Sequence, residues 1–244
     1  MERIVAFLAF PVNLISALCW VLFCHYIWKN CKDSFILRFF LSPAATVSSI
    51  LFFLLSCIWV GISGDITFVH SFVFILVLTY MQTVLLFVLF RGWKNRTGRL
   101  RVRFALNHAG LLIAVGSAFW GSPDSEQMRM KLETGQSSRE AYRMDGSLAW
   151  LEDEIGLISL DCQTYENGVP MQYSAVISVG GESHEIKVNH PYSSGLSENI
   201  YLTSVGEGDC VLEIVYEPWK YFALAGILMM LAGAFLLFFK GPVL

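Results

Sequence analysis

The chain has 244 residues, of which 55% are hydrophobic and 15% are charged, and its formal net charge is −3 at pH 7. Its mean hydropathy is +0.55. Because soluble domains carry about 25% charged residues, this composition excludes an ordinary soluble protein and indicates a membrane protein with some soluble mass attached.

Five apolar stretches are long enough to cross a lipid bilayer, which requires about 20 apolar residues. They are approximately residues 4–28, 44–63, 66–90, 104–120 and 221–239. The fourth stretch is the shortest and contains Asn107 and His108, so hydropathy alone ranks it as the weakest of the five.

The basic residues predict how these spans are oriented, since Lys and Arg accumulate in cytoplasmic loops. Lys29, Lys32 and Arg38 follow the first span, and six Lys and Arg residues lie between positions 91 and 103. We therefore expect both loops on the cytoplasmic side. The long connection between the fourth and fifth spans is then external.

This external connection has the alternating pattern of β-strands. Strands are predicted at residues 156–162, 172–179, 185–188, 199–205 and 210–216, with turns at 166–168 and 180–181. The predicted fold is a membrane α-helical bundle of about five transmembrane helices with an inserted external β-rich domain. Its parts are an extra N-terminal helix (1–37), a three-helix region with short loops (38–120), the β-rich domain (121–218) and a C-terminal helix (219–244).

The familiar catalytic and metal-binding motifs are missing from the sequence. There is no Gly-rich phosphate loop, GxSxG, HExxH or CxxC motif. A CxxCH motif is also absent, so the chain is not itself a c-type cytochrome. Cys162 and Cys210 are the two cysteines of the external segment, and we expect them on adjacent strands. Whether they form a disulfide or stay free is open.

His108 lies about one and a half turns inside the fourth span, just after a cluster of positive charge. An ionisable side chain at that depth is costly and usually faces a protein interior or a ligand. Two roles fit it: a hydrogen bond to a neighbouring helix, or ligation of haem iron by neutral imidazole. Asn107, Ala109, Gly110 and Gly116 fit the second role, because a planar macrocycle needs one helix face cleared.

His25 has a depth similar to that of His108, about one turn before Lys29. It fits a contact with lipid headgroups at the interface. Paired with His108, it also fits a bis-histidine haem site. The sequence leaves the role of the first span and of His25 open.

Several segments together resemble the ResB/CcsB family of cytochrome c biogenesis proteins. They occur in the same order over residues 38–240: FFLSP at 39–43, VHS at 69–71, LNHAGL at 106–111, MKLETG at 130–135, EIKVNHP at 185–191 and VLEIVYEP at 211–218. The first span is extra to the usual four-span pattern of the family, and the external domain is shorter than usual.

The resemblance implies a multi-pass protein of the bacterial inner membrane whose large loop is periplasmic. Such proteins act with a CcsA/ResC-type membrane partner to carry haem across the membrane and support its covalent attachment to apocytochrome c. His108 would be an axial ligand of haem b shared with the partner, which carries the tryptophan-rich haem-handling motif missing here. The chain would be at most one subunit of a haem-attachment complex, with no nucleic-acid partner.

Two other functions remain open from the sequence. One is a haem-b subunit of a respiratory electron-transfer complex, which would need two histidines on facing helices. The other is a non-catalytic membrane-anchored scaffold whose β-rich domain binds another protein.

Overall fold

The computed structural model describes residues 9–64, 68–69, 71–93 and 101–240. It divides the chain into two compact units. The helical unit comprises residues 1–123 and 220–244, and the sheet unit comprises residues 124–219. His70, Lys94, Arg96 and Arg99 lie outside the described residues, as does the beginning of the predicted first span.

The helical unit contains six described α-helices, and all but the second are long and apolar enough to cross a membrane. The prediction of five spans is confirmed. In chain order the helices are α1 (Val12–Asn30), α2 (Phe35–Phe40), α3 (Pro43–Ser63), α4 (Phe72–Gly92), α5 (Val102–Gly121) and α6 (Lys220–Lys240).

Serine residues determine where α3 and α4 begin. The Ser42 hydroxyl accepts a hydrogen bond from the backbone N–H of Ala45, and Pro43 occupies the first turn of α3. Ser71 caps α4 in the same way, through the N–H of Phe74. Each cap satisfies an N–H group that has no partner within the helix, which stabilises a helix by about 1 kcal/mol.

Polar side chains connect α5 with α1 and α4. Asn13 Nδ2 on α1 donates to the carbonyl oxygen of Trp120 at 2.8 Å. The indole Nε1 of Trp120 donates to Gln82 Oε1 on α4 at 3.1 Å. Interhelical hydrogen bonds in lipid contribute about 0.6 kcal/mol each on average, so these contacts set the position of α5 more than its stability.

Glycines bring α5 and α6 together. A Cβ atom added at Gly110 would lie 2.7 Å from the carbonyl oxygen of Gly226. One added at Gly226 would lie 2.6 Å from the backbone nitrogen of Ala114. The two backbones are therefore in direct contact, as small residues permit in helix packing within lipid.

The sheet unit is a single seven-stranded antiparallel sheet with the strand order β5-β4-β3-β2-β1-β7-β6. The predicted class, a helical bundle with an inserted β domain, is thus confirmed. The strands are β1 (Glu126–Glu133), β2 (Ser137–Arg143), β3 (Leu148–Thr164), β4 (Pro170–Val179), β5 (Glu182–Lys187), β6 (Glu198–Val205) and β7 (Asp209–Tyr216).

One face of this sheet forms the core of the unit. Along β1 the side chains of Met128, Met130 and Leu132 are buried and those between them are exposed, which is the period of two expected for a strand with one buried face. Sixteen buried side chains from all seven strands make up one hydrophobic cluster. At about 0.8 kcal/mol per buried CH₂ group, this cluster is the main source of stability in the unit.

The strand predictions are right for the second half of the sheet unit and incomplete for the first. Both β1 and β2 are absent from the prediction, and β3 begins eight residues earlier than predicted, at Leu148. The expectation that Cys162 and Cys210 lie on adjacent strands is wrong. Cys162 is on β3 and Cys210 on β7, with β2 and β1 between them, and both thiols are free.

Candidate functional site

His108 lies in the second turn of α5, and one of its ring nitrogens has a partner. Nδ1 is 2.9 Å from the carbonyl oxygen of Phe104, one turn earlier on the same helix. Because a carbonyl oxygen only accepts hydrogen bonds, Nδ1 carries the proton in the neutral ring. The lone pair is then on Nε2, and no hydrogen bond to Nε2 occurs within the described part of the chain.

Phe104 also fixes the plane of the imidazole. The two rings stack with centroids 3.9 Å apart and an interplanar angle of 23°. The Phe104 ring packs directly over Gly92 at the end of α4, and the Arg101 guanidinium lies 5.0 Å from its centroid. A contact of this kind between a cation and an aromatic ring contributes about 0.5–1 kcal/mol where it is exposed. Phe104, which orients His108, is thus itself packed against the end of α4.

The polar and small residues around His108 belong largely to the contact with α6. Asn107 Nδ2 donates to the carbonyl oxygen of Arg103, and a Cβ added at Gly233 would lie 2.6 Å from this amide. Gly110 contacts Gly226, as described above. Gly116, by contrast, has open space around its Cα. The structure thus gives Gly110 a packing role that is separate from the cleared helix face expected from the sequence.

His25 borders a cavity of its own at the ends of α1 and α4. The cavity has a volume of about 450 Å³ and is lined by His25, Trp28, Leu89, Phe90, Arg91 and Trp93. The imidazole meets the Phe90 ring edge-on, with centroids 5.5 Å apart. No ring contact or hydrogen bond joins His25 to His108 among the described residues.

Among the residues that line this cavity, the sequence made only His25 a candidate; Arg91 and Trp93 are the polar and aromatic side chains that it did not identify at the end of α4. From the sequence, Arg91 is only one of the positive charges expected in a cytoplasmic loop. In the structure its Nη1 donates to the carbonyl oxygen of Leu41 at 3.1 Å, which holds the side chain beside the cavity. The spacing of His25 and Trp28, three residues apart on one helix face, was the available signal.

The donor set fits haem better than a bare metal ion. No group of three or more His, Cys, Asp or Glu side chains that could hold a metal occurs in the described residues. Haem iron needs fewer protein ligands, because the macrocycle supplies four and the protein adds only axial ones. A single imidazole with its Nδ1–H bonded to a carbonyl is the usual arrangement of a histidine that ligates through Nε2.

Comparison with known proteins gives a family model and similar solved structures. The model of the ResB-like family matches residues 90–213, which is half of the chain. A structure titled "Cytochrome c Heme Lyase CcmF" is similar at 12% identity and a TM-score of 0.38, over 76% of this chain. The chain spans about a third of that structure's length (33%), and a similarity this low carries no functional argument. No curated protein matches.

Proposed function

This chain belongs to the ResB-like family, and its described residues include five helices long and apolar enough to cross a membrane. From that premise we propose that it has a role in cytochrome c biogenesis. It acts with a CcsA/ResC-type membrane partner to carry haem across the bilayer and to support covalent attachment of haem to apocytochrome c. The membrane is the bacterial inner membrane, and the sheet unit lies on its periplasmic side.

The observation that carries this proposal is the hydrogen bond made by the His108 imidazole. Its Nδ1–H is bonded to the Phe104 carbonyl, so Nε2 is the nitrogen available to iron. The hydrogen bond fixes the orientation of the ring. A neutral imidazole needs no counter-ion on transfer into the bilayer, unlike a charged side chain.

Phe104 and Gly92 position the imidazole. Phe104 restricts the ring to one plane by stacking at 3.9 Å, and Gly92 leaves room for Phe104. His108 would hold a bound haem b through Nε2, and the haem would supply the iron. Because the chain offers one oriented imidazole at this position, we expect the partner subunit to supply a further ligand.

The orientation of the spans rests on charge. The described basic residues of the helical unit include Lys29 in the last turn of α1, Lys32 just after it, Arg38 on α2 and Arg91 in the last turn of α4. Cytoplasmic loops are enriched in such residues. The sheet unit follows the next span, α5, which supports a periplasmic position for it.

The test is the substitution His108→Ala in the complex purified with its CcsA/ResC-type partner, with haem measured from the visible spectrum. We expect haem to be lost, and added imidazole to restore it by replacing the missing ligand. The matched control is His25→Ala, which removes an imidazole of similar depth and is expected to keep its haem.

Two outcomes would contradict the proposal. If the His108→Ala variant keeps its full haem content, His108 is a packing residue and not a haem ligand. Haem in the isolated chain, lost equally on substitution of His108 or His25, would instead identify a bis-histidine electron-transfer subunit. The yield of the purified complex measures folding independently of haem, so a misfolded variant is distinguished from one that folds but has lost its ligand.

A further inference from the structure

Strand β3 extends beyond the strand on one of its sides. It pairs with β4 as far as Thr164, which lies opposite Pro170. Its pairing with β2 ends at Gly156, and the last backbone hydrogen bonds on that side involve Leu157. Within the described residues, positions 158–164 therefore have β4 on one side and no strand on the other. Along an antiparallel strand the N–H and C=O groups point alternately to the two sides, so this edge carries unpaired backbone groups.

We define the hairpin arm as residues 158–171, which comprise this edge, the turn and the start of β4. Protein edges are commonly protected by Lys, Pro or bulges. Residues 157–165 contain no Lys or Pro, and Asp161 is their one charge. The pairing of this segment with β4 is irregular at two places, between Leu157 and Ser159 and between Gln163 and Thr164. Large apolar side chains of the arm are exposed instead, with 46% exposure at Ile158, 55% at Tyr165 and 48% at Met171.

The sheet unit that carries the arm is strongly acidic. It has seventeen Asp and Glu residues against five Lys and Arg, a formal net charge of −12. Four of the five basic side chains already form ion pairs within the unit: Arg129 with Glu213, Lys131 with Asp209, Arg143 with Glu126 and Lys187 with Glu185.

The acidic excess is greatest around the arm. Residues 144–186 contain no Lys or Arg at all. Five carboxylates lie on β3 and in the turn that follows it, and they are Glu152, Asp153, Glu154, Asp161 and Glu166. The free edge is therefore set in a negative field with no basic side chain on its own hairpin.

We propose that the free edge of β3, residues 158–164, binds an extended polypeptide segment rich in Lys and Arg, which adds as a further strand. Backbone hydrogen bonds to the edge supply the affinity, and the exposed apolar residues of the arm and the surrounding carboxylates select the segment. A second copy of this chain is a poor occupant, because two units of −12 repel each other. The inference does not depend on the haem ligand, so the two proposals fail separately.

The test uses the full chain in lipid nanodiscs and a synthetic peptide of about ten residues, roughly the length of a long strand. The peptide alternates Lys with Thr and Val. We expect hydrogen exchange to slow at residues 158–164 when it binds, with no slowing at the outer edges of β5 and β6. Affinity is expected to fall as salt is raised.

Two matched controls separate strand addition from charge alone. A peptide of the same sequence with N-methyl groups at alternate residues keeps its charge but loses its edge hydrogen bonds, and we expect at least a tenfold loss of affinity, equivalent to about 1.4 kcal/mol. The variant Asp161→Lys places a protecting charge on the edge and is expected to weaken binding by a similar factor. Glu207→Lys makes the same charge change in the β6–β7 turn and is expected to have a small effect.

Three results would overturn the inference. One is equal binding of the N-methylated peptide, and another is protection of β5 or β6 in place of residues 158–164. The third is protection of residues 158–164 that grows with protein concentration and needs no peptide, because the occupant would then be a second copy. The haem content of the Asp161→Lys variant is measured in the partner complex. An unchanged haem content shows that the loss of peptide binding is confined to this edge.

Discussion

In the sheet unit, sixteen buried side chains from seven strands form one cluster. In the helical unit, by contrast, only 11% of the span residues of α1 and of α6 are buried, and 44% of those of α4. The sheet unit contains its own hydrophobic core. The helices instead present apolar side chains outward, which suits lipid or another membrane protein. The sheet unit thus buries its apolar side chains, as a domain in water does, whereas the helical unit exposes apolar side chains, as a domain in lipid does.

Charge separates the units in the same way. The residues of the helical unit carry a formal charge of +9 and those of the sheet unit −12, so the net charge of −3 conceals a strong asymmetry. Whole-chain charge is a poor guide to partners in such a protein. Each unit must be judged by its own balance.

The comparison predicts that the largest loss of stability comes from truncating a buried side chain of the sheet core. Ile177 on β4 is fully buried, and Ile177→Ala is expected to destabilise the sheet unit by about 2–5 kcal/mol, because it removes buried methyl groups and leaves a cavity. Ile158→Ala is the matched control on the same hairpin, at a 46% exposed position, and should cost less than about 1 kcal/mol. Urea unfolding of the full chain in detergent, read by hydrogen exchange of sheet-unit amides, measures both. Equal losses would mean that the face bearing Ile177 is not the core.

The corresponding probe of the helical unit is the contact between α5 and α6. Gly226→Ala places a Cβ against the backbone of Ala114 and Gly110, and we expect a loss of about 1–3 kcal/mol from the forced separation of the helices. Gly116→Ala is the control, since nothing lies within 4 Å of its added Cβ. Unfolding in mixed micelles with increasing dodecyl sulfate, followed by circular dichroism, compares the two. A loss in both variants alike would point to an effect of glycine itself and not of the crossing.

A smaller effect is expected from the two thiols of the sheet unit. Burial, with a lesser contribution from Asp209, raises the pKa of Cys210 to about 11. The folded unit then keeps this proton where the unfolded chain releases it, so stability is unaffected below about pH 9 and falls as the pH rises toward 11. At pH 8 we expect iodoacetamide to modify exposed Cys162 and to leave Cys210 intact until the unit unfolds. Peptide mass spectrometry reads both sites, and a Cys162→Ser variant should leave the pH dependence unchanged.

The sequence was sufficient for the spans because a run of apolar residues is a local property. The predicted fourth span at 104–120 lies within α5, although Asn107 and His108 weaken its hydropathy. The short α2 was not predicted, since six residues are too few to span a membrane or to show a helical period. Strand β2 was missed for a similar reason, because Ala141 is its only buried residue.

The arrangement of strands and the neighbours of His108 required the structure. Cys162 and Cys210 were expected on adjacent strands, but strand order depends on contacts far apart in the chain, and β1 and β2 lie between them. The depth of His108 was readable from the sequence. Its proton on Nδ1 and its stacking on Phe104 depend on side-chain geometry that spacing alone does not give. The role of His108 as a ligand stays a prediction.

One hydrogen bond has a consequence for how such a protein can be built. Trp219 Nε1 donates to Asp124 Oδ2 at 2.6 Å, so the first and last residues of the sheet unit lie side by side. Glu126 and Tyr216 then pair as the strands begin and end. A module with adjacent termini can be inserted into a host chain, removed from it or exchanged without separating the ends of the host that it joins. The connection between α5 and α6 is accordingly a point where this chain can accept or lose a whole domain while the two helices stay in contact.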